Sequence, residues 1–118
     1  MKYKFDINNR AFNAIKNGTK RIEIRVTKLG EEHFNYGILK ENDEIEFTSY
    51  DGEKIKCIIE DINHYNSIEK LLILEGTRYT LSSTNDFNEG VKSINNLNGY
   101  KDAIPVNGVY AIHIKYLN

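Results

Sequence analysis

Tryptophan is absent from this chain of 118 residues, and cysteine, proline and methionine occur once each. The lone thiol, Cys57, excludes an internal disulfide, and its apolar neighbours in KIKCIIEDI mark a buried strand position rather than a reactive one. His33, His64 and His113 make no metal-ligand spacing with it, so no metal site is expected. No apolar run approaches the ~18 residues of a membrane span, which argues against a membrane partner. The opening MKYKFDINNR has no apolar stretch after its lysines, so no secretory signal is expected and the cytoplasm is the expected address. There is no phosphate loop, dinucleotide glycine fingerprint or nucleophile elbow, and therefore no cofactor is expected.

What is present fits one domain over residues 1–118, with 40% apolar and 28% charged residues. The net charge of −1 hides an asymmetry: residues 1–30 carry eight Lys or Arg against Asp6 and Glu23, and the remainder is acidic. A basic end favours an anionic partner such as nucleic acid, while the overall charge argues against a large duplex-binding surface. Mutual attraction of the two halves explains the asymmetry equally well.

KYKFD alternates like a half-buried strand, and NNRAFNAIKNG reads as a short helix with Asn8 or Asn9 as its cap, Ala11, Phe12 and Ile15 on one face, and Gly18 as its stop. KRIEIRV is the next strand, and residues 28–37, bounded by glycines, form a loop over it. DEIEFTSY and EKIKCIIEDI flank Asp51–Gly52 as a hairpin. SIEKLLILEG is a helix capped by Ser67 and stopped by Gly76. From Thr77 to Asn107 the pattern weakens, with one helix expected over FNEGVKSINNL on a stripe of Phe87, Val91 and Ile94, and Pro105 and Gly108 as punctuation. VYAIHIKYL closes the chain as a strand with Val109, Ala111, His113 and Lys115 on one face. The expected fold is α+β, a small, mostly antiparallel β-barrel with two or three short inserted helices.

The chemistry concentrates in GTKRIEIR. A regular strand over 20–26 places Ile22 and Ile24 on one face and Arg21, Glu23 and Arg25 on the other. Because Lys20 follows a helix stop, a bend there can bring its amine to Glu23 and Arg25. Such a set can hold a phosphate, polarise a carbonyl or perform acid–base work. The same residues also fit an ion-pair ladder on a wet face, which stabilises little. Exposed rings that can stack on bases are sought in Phe34, Tyr36, His64 and Tyr65, whereas His113 reads as a satisfied sheet histidine.

Phe12 together with NGTKRIEIR, NDEIEF, INHYNSIEKLL, NEGVKSI and GVYAIHI resembles the ASCH domain family over essentially the whole chain. The most specific match is to the family's G-x-K-x-x-E-x-R signature at Gly18, Lys20, Glu23 and Arg25. The G-D-x-I-x-F that usually follows is represented by Asn42, Asp43, Ile45 and Phe47, with Asn42 replacing glycine. The resemblance implies a PUA-like β-barrel, the small stand-alone bacterial type of domain, and binding of RNA or a modified nucleoside in a cleft formed by Lys20, Glu23 and Arg25, to which Tyr65 is added as a ligand-binding ring on the stacking argument. It also implies an alternative. Some small members look like amidohydrolases acting on acetylated cytidine through a K-x-x-T pattern, and ribonuclease activity has been ascribed to others. This chain has Glu23 at the threonine position. A hydrolase would therefore use Lys20 and Glu23 as its catalytic pair, with Glu69 or Glu75 as a further carboxylate. A third reading is a protein-interaction module whose acidic remainder meets a basic partner. The oligomeric state is left open.

Overall fold

The computed structural model describes residues 1–30 and 33–118; positions 31 and 32, inside the expected 28–37 loop, lie outside the described residues. The chain runs β1 (Lys2–Asp6), α1 (Asn9–Asn17), β2 (Ile22–Arg25), a 3₁₀ turn (Tyr36–Ile38), β3 (Glu44–Thr48), β4 (Lys54–Tyr65), α2 (Ile68–Glu75), α3 (Phe87–Asn95), α4 (Tyr100–Asn107) and β5 (Val109–Leu117). The strands form one curled, half-barrel sheet in the order β1-β3-β4-β5-β2. Only β1–β3 is parallel among its neighbouring pairs. The α+β class and the mostly antiparallel sheet agree with the sequence reading. Four α-helices among the described residues exceed the two or three expected.

Local chemistry explains the elements. The Asn8 side chain accepts from the Ala11 N–H at 2.8 Å to start α1, and Gly18, at φ 86°, ends it. Ser67 caps α2 by accepting from the Lys70 N–H at 3.1 Å. Asn42 adopts φ 74°, the left-handed conformation that asparagine tolerates where glycine is usual. The additional helix is α4, which contains Pro105. Proline removes one N–H donor, a cost confined here to the last turn of a short helix in which Pro105 itself is exposed, so the residue read as punctuation sits inside an element.

Both faces of the sheet are covered. On one, Phe12 and Ile15 of α1 pack with Ile45, Phe47, Cys57, Ile59, Ile112 and Ile114. On the other, Ile68, Leu71 and Leu72 of α2 and Ala103 and Ile104 of α4 cover Ile22, Ile24, Val109 and Ala111. Phe87, Val91 and Ile94 of α3 pack against this second cluster as the periodicity anticipates. The alternation of β5 is thus real, with both of its faces buried. Register places Glu23 opposite Ile112 and Ile24 opposite Ala111, so Glu23 and Arg25 point towards the α1 side.

Candidate functional site

The first strand of interest is shorter than its pattern. β2 starts at Ile22, because Lys20 N–H donates to Ala14 O of α1 at 3.0 Å, while the N–H groups of Arg21 and Ile22 both donate to Tyr79 O, at 2.9 and 3.0 Å. This departure from the pleat turns Lys20 inward. Its amine donates to Ile22 O at 2.8 Å and Thr80 O at 2.6 Å, and lies 3.4 Å from Glu23 Oε1. Arg25 Nε donates to Glu23 Oε2 at 2.8 Å and Nη2 approaches the same oxygen at 2.7 Å. The three residues therefore converge, with Lys20 only 5% and Glu23 7% exposed. A solvated ion-pair ladder does not describe them.

Arg25 also ties together the two edges of the curled sheet. Its Nη2 donates to Asp6 O of β1 at 2.9 Å, Nη1 donates to the Tyr36 hydroxyl at 3.3 Å, and the guanidinium lies 5.6 Å from the centre of the Phe5 ring. An arginine suits this position because its planar fork satisfies several acceptors at once while stacking on rings.

Burial alone would raise the Glu23 pKa, but Arg25 and Lys20 outweigh it and hold the carboxyl below the usual range. For Lys20 burial wins over the attraction of Glu23 and lowers the amine pKa. For Arg25 the opposing carboxylate prevails and the pKa is raised. The cluster places one carboxylate between an amine and a guanidinium.

These three side chains stand at the wall of a cavity of about 190 Å³, whose lining also includes Tyr50, Thr80, Ser82 and Tyr100. At ~30 Å³ per water molecule that is room for a single small ring with its substituents. The Lys20 ammonium spends all three N–H groups on its protein partners. Glu23 Oε1 keeps an open lone pair, since it receives only the long 3.4 Å contact. One Nη1 hydrogen of Arg25 is without a partner among the described residues. Both residues line the cavity, which brings a carboxylate and a guanidinium to one wall. Tyr50, 74% exposed, stands at its rim.

Tyr65 does not line this cavity. Its hydroxyl donates to Glu75 Oε2 at 2.6 Å, in a cluster where Asn63 Nδ2 also reaches Oε2 at 2.9 Å and His113 Nε2 lies 2.8 Å from Oε1. Burial and the Glu75 contact push the Tyr65 hydroxyl up to about 12. His113 is the satisfied sheet histidine expected, and Glu75 is committed to this separate cluster. Glu69 lies on an exposed turn of α2. Phe34 and Tyr36 pack with Tyr3 and Phe5, ring centroids 4.9–5.6 Å apart, and His64 sits against Tyr110 with Nε2 2.8 Å from Asn107 O. Phe34, Tyr36 and Tyr65 are partly buried in these packings, whereas His64 is exposed.

Sequence reasoning missed Tyr50 and Tyr100. The first carried a usable signal, being an aromatic directly before the Asp51–Gly52 turn. Tyr100 lay in the segment without a pattern. Among the described residues no group of His, Cys, Asp and Glu has the arrangement of a metal site, and no helix is long and apolar enough to cross a membrane.

No family model matches this chain. No curated protein matches it either. Among solved structures, the fold is shared by the following two proteins. The crystal structure of hypothetical protein PH0355 is similar over 99% of this chain and 100% of that one, with 27% identity and a TM-score of 0.83. The solution NMR structure of protein PF0455 from Pyrococcus furiosus is similar over 100% of this chain and 99% of that one, with 24% identity and a TM-score of 0.74. Architecture is what these likenesses share; neither name carries an activity.

Proposed function

We propose that this chain is an ASCH-type, PUA-like domain of the cytoplasm that binds single-stranded RNA or a modified nucleoside, with one base held in the cavity beside Lys20, Glu23 and Arg25. The observation that carries the reading is a buried carboxylate held between the Lys20 amine and the Arg25 guanidinium at the wall of a ring-sized cavity. Burying such a cluster is costly unless its partners are complete. A carboxylate acceptor beside a guanidinium N–H matches the edge of a base that presents an exocyclic amine next to a ring acceptor. Lys20 orients Glu23, Arg25 and Glu23 meet the base edge, and Tyr50 stacks from the rim. The signature shared with ASCH domains and the curled sheet support this assignment.

The lowered amine pKa of Lys20 favours a second reading, a hydrolase acting on an acetylated cytidine-like amide or on RNA. In it Glu23 activates water and Lys20 stabilises the oxyanion. A carboxylate held below its usual range is a weak base, and the Lys20 donors are already occupied, so binding takes precedence.

Calorimetric titration with cytidine, N4-acetylcytidine and a short single-stranded RNA, at two salt concentrations, tests the proposal. Saturable binding is expected, weakened at least tenfold by Glu23→Gln and, for RNA, weakened by salt. Tyr50→Ala, at an exposed position that leaves the fold intact, is expected to cost the ~1–3 kcal/mol of one stacked base. No saturable binding by the folded protein, or unchanged affinity in both variants, refutes it. Release of acetate or cleaved RNA by the wild type but not by Glu23→Gln moves the assignment to the hydrolase.

A further inference from the structure

A second cavity, of about 530 Å³, adjoins the first, and both include Leu81, Ser82 and Ser83 in their linings. Its chemistry differs. Arg21 and Arg78 both lie against the ring of Tyr79, their guanidinium carbons 4.5 and 5.0 Å from its centre. The two cations are therefore within about 10 Å of each other, roughly one Debye length at 0.1 M salt. Among the described residues neither has a carboxylate at ion-pair distance, and no Asp or Glu lines the cavity. Arg21 spends only Nε on the protein, at 3.3 Å from Gly18 O, which leaves its terminal amines open. Thr19, Ser83 and Thr84 add hydroxyl groups to the wall.

The arrangement is built in by the backbone. α1 stops at Gly18 and α2 at Gly76, and the segments that follow are joined where Tyr79 O accepts from Arg21 and Ile22. That junction sets both arginines on one ring, where they repel each other with no carboxylate at ion-pair distance from either among the described residues; the carboxylate beside this wall, Glu89, accepts from the Thr84 hydroxyl at 2.9 Å. We propose that this second cavity is a phosphate-binding subsite, in which Arg21 and Arg78 grip one phosphate group over Tyr79. Guanidinium forks match phosphate oxygens bidentately, and the ring holds both forks in place. Resting on the base-binding reading of the neighbouring cavity, the subsite takes the phosphate attached to the nucleoside bound there, from a free nucleotide or from the RNA backbone.

The test compares inorganic phosphate, cytidine, cytidine 5′-monophosphate and a single-stranded tetranucleotide, read by calorimetry and by amide chemical shifts. Inorganic phosphate is expected to shift the amides of residues 19–21 and 78–84, and the monophosphate to bind at least tenfold tighter than cytidine, equivalent to about 1.4 kcal/mol. Arg21→Gln with Arg78→Gln, both at exposed positions, is expected to abolish that gap and leave cytidine affinity unchanged. The paired lysine variants are expected to keep part of it. A monophosphate that binds no better than cytidine, or phosphate shifts that persist in the glutamine variant, overturns the subsite while the base cavity stands. Phosphate shifts abolished by those substitutions, with no cytidine binding, sustain the subsite and overturn the base cavity instead. A tetranucleotide tighter than the monophosphate assigns the phosphate to a polymer, and the reverse order assigns it to a free nucleotide.

Discussion

Replacing Glu23 with glutamine keeps the shape of the side chain and removes the one negative charge between an amine and a guanidinium. Lys20 and Arg25 contact Glu23 at 3.4 and 2.7 Å, and both Lys20 and Glu23 are nearly fully buried. Removing one partner of a buried ion pair typically costs about 3–5 kcal/mol, because the charge left behind has lost water and partner alike. In a chain of this size each kcal/mol lowers the melting temperature by about 4 °C, so a fall of roughly 12–20 °C is expected. The stability of the variant depends on pH. Burial already lowers the Lys20 pKa, and without Glu23 it falls further, whereas the unfolded amine titrates near ~10.4. Between those values the unfolded variant binds one proton more than the folded one, so its stability rises with pH. Wild-type Lys20 is lowered too, though less, so between pH 6 and pH 10 the deficit against wild type should shrink or hold as pH rises but never grow, and it should not vanish, since Arg25 stays cationic. Thermal unfolding followed by circular dichroism at both pH values reads this directly. Glu53→Gln is the control: its pair with Lys16 spans 3.7 Å between half-exposed side chains, and its loss should cost less than ~1 kcal/mol. A fall below about 4 °C for Glu23→Gln, or one larger at pH 10 than at pH 6, refutes the buried triad.

Three further outcomes follow from the packing. Gly108→Ala adds a methyl group that collides with the His64 ring and comes 2.6 Å from Tyr65 O, at φ 73°, so a loss of at least ~1–3 kcal/mol is expected in denaturant titration. Cys57, fully buried and with its thiol pushed up to about 12 by desolvation, is expected to resist a disulfide-exchange reagent at pH 8 until denaturant is added, then react once per chain. Tyr65→Phe removes a 2.6 Å hydrogen bond to the Glu75 carboxylate, expected to cost ~1.5–3 kcal/mol of stability while leaving nucleoside affinity within twofold, since Tyr65 lies outside the cavity.

Much of the architecture was legible because local signals and tertiary packing agree. Asn8, Gly18, Ser67 and Gly76 bound helices α1 and α2, and the Asp51–Gly52 turn sets the β3–β4 hairpin. Segment 77–107 was legible only in the stripe of α3. α4 contains a proline and begins at Gly99 without a side-chain cap, so it is held by Tyr100, Ala103 and Ile104 packing on the second cluster rather than by any local preference. The residue types of the site were readable in GTKRIEIR, but their meeting depended on Tyr79 O, which draws the backbone of Arg21 and Ile22 out of regular pleating from a position almost 60 residues away. Tyr65 shows the converse. A tyrosine at a strand end looks free in sequence, and only the fold reveals that Glu75 holds its hydroxyl.

The most direct measurement is the structure of the protein crystallised with cytidine. The base is expected in the smaller cavity, with its exocyclic amine about 2.7–3.2 Å from Glu23 Oε1, an Arg25 N–H on the adjacent ring acceptor and Tyr50 against its face. Cytidine bound elsewhere, with the Lys20–Glu23–Arg25 cluster untouched, would contradict it.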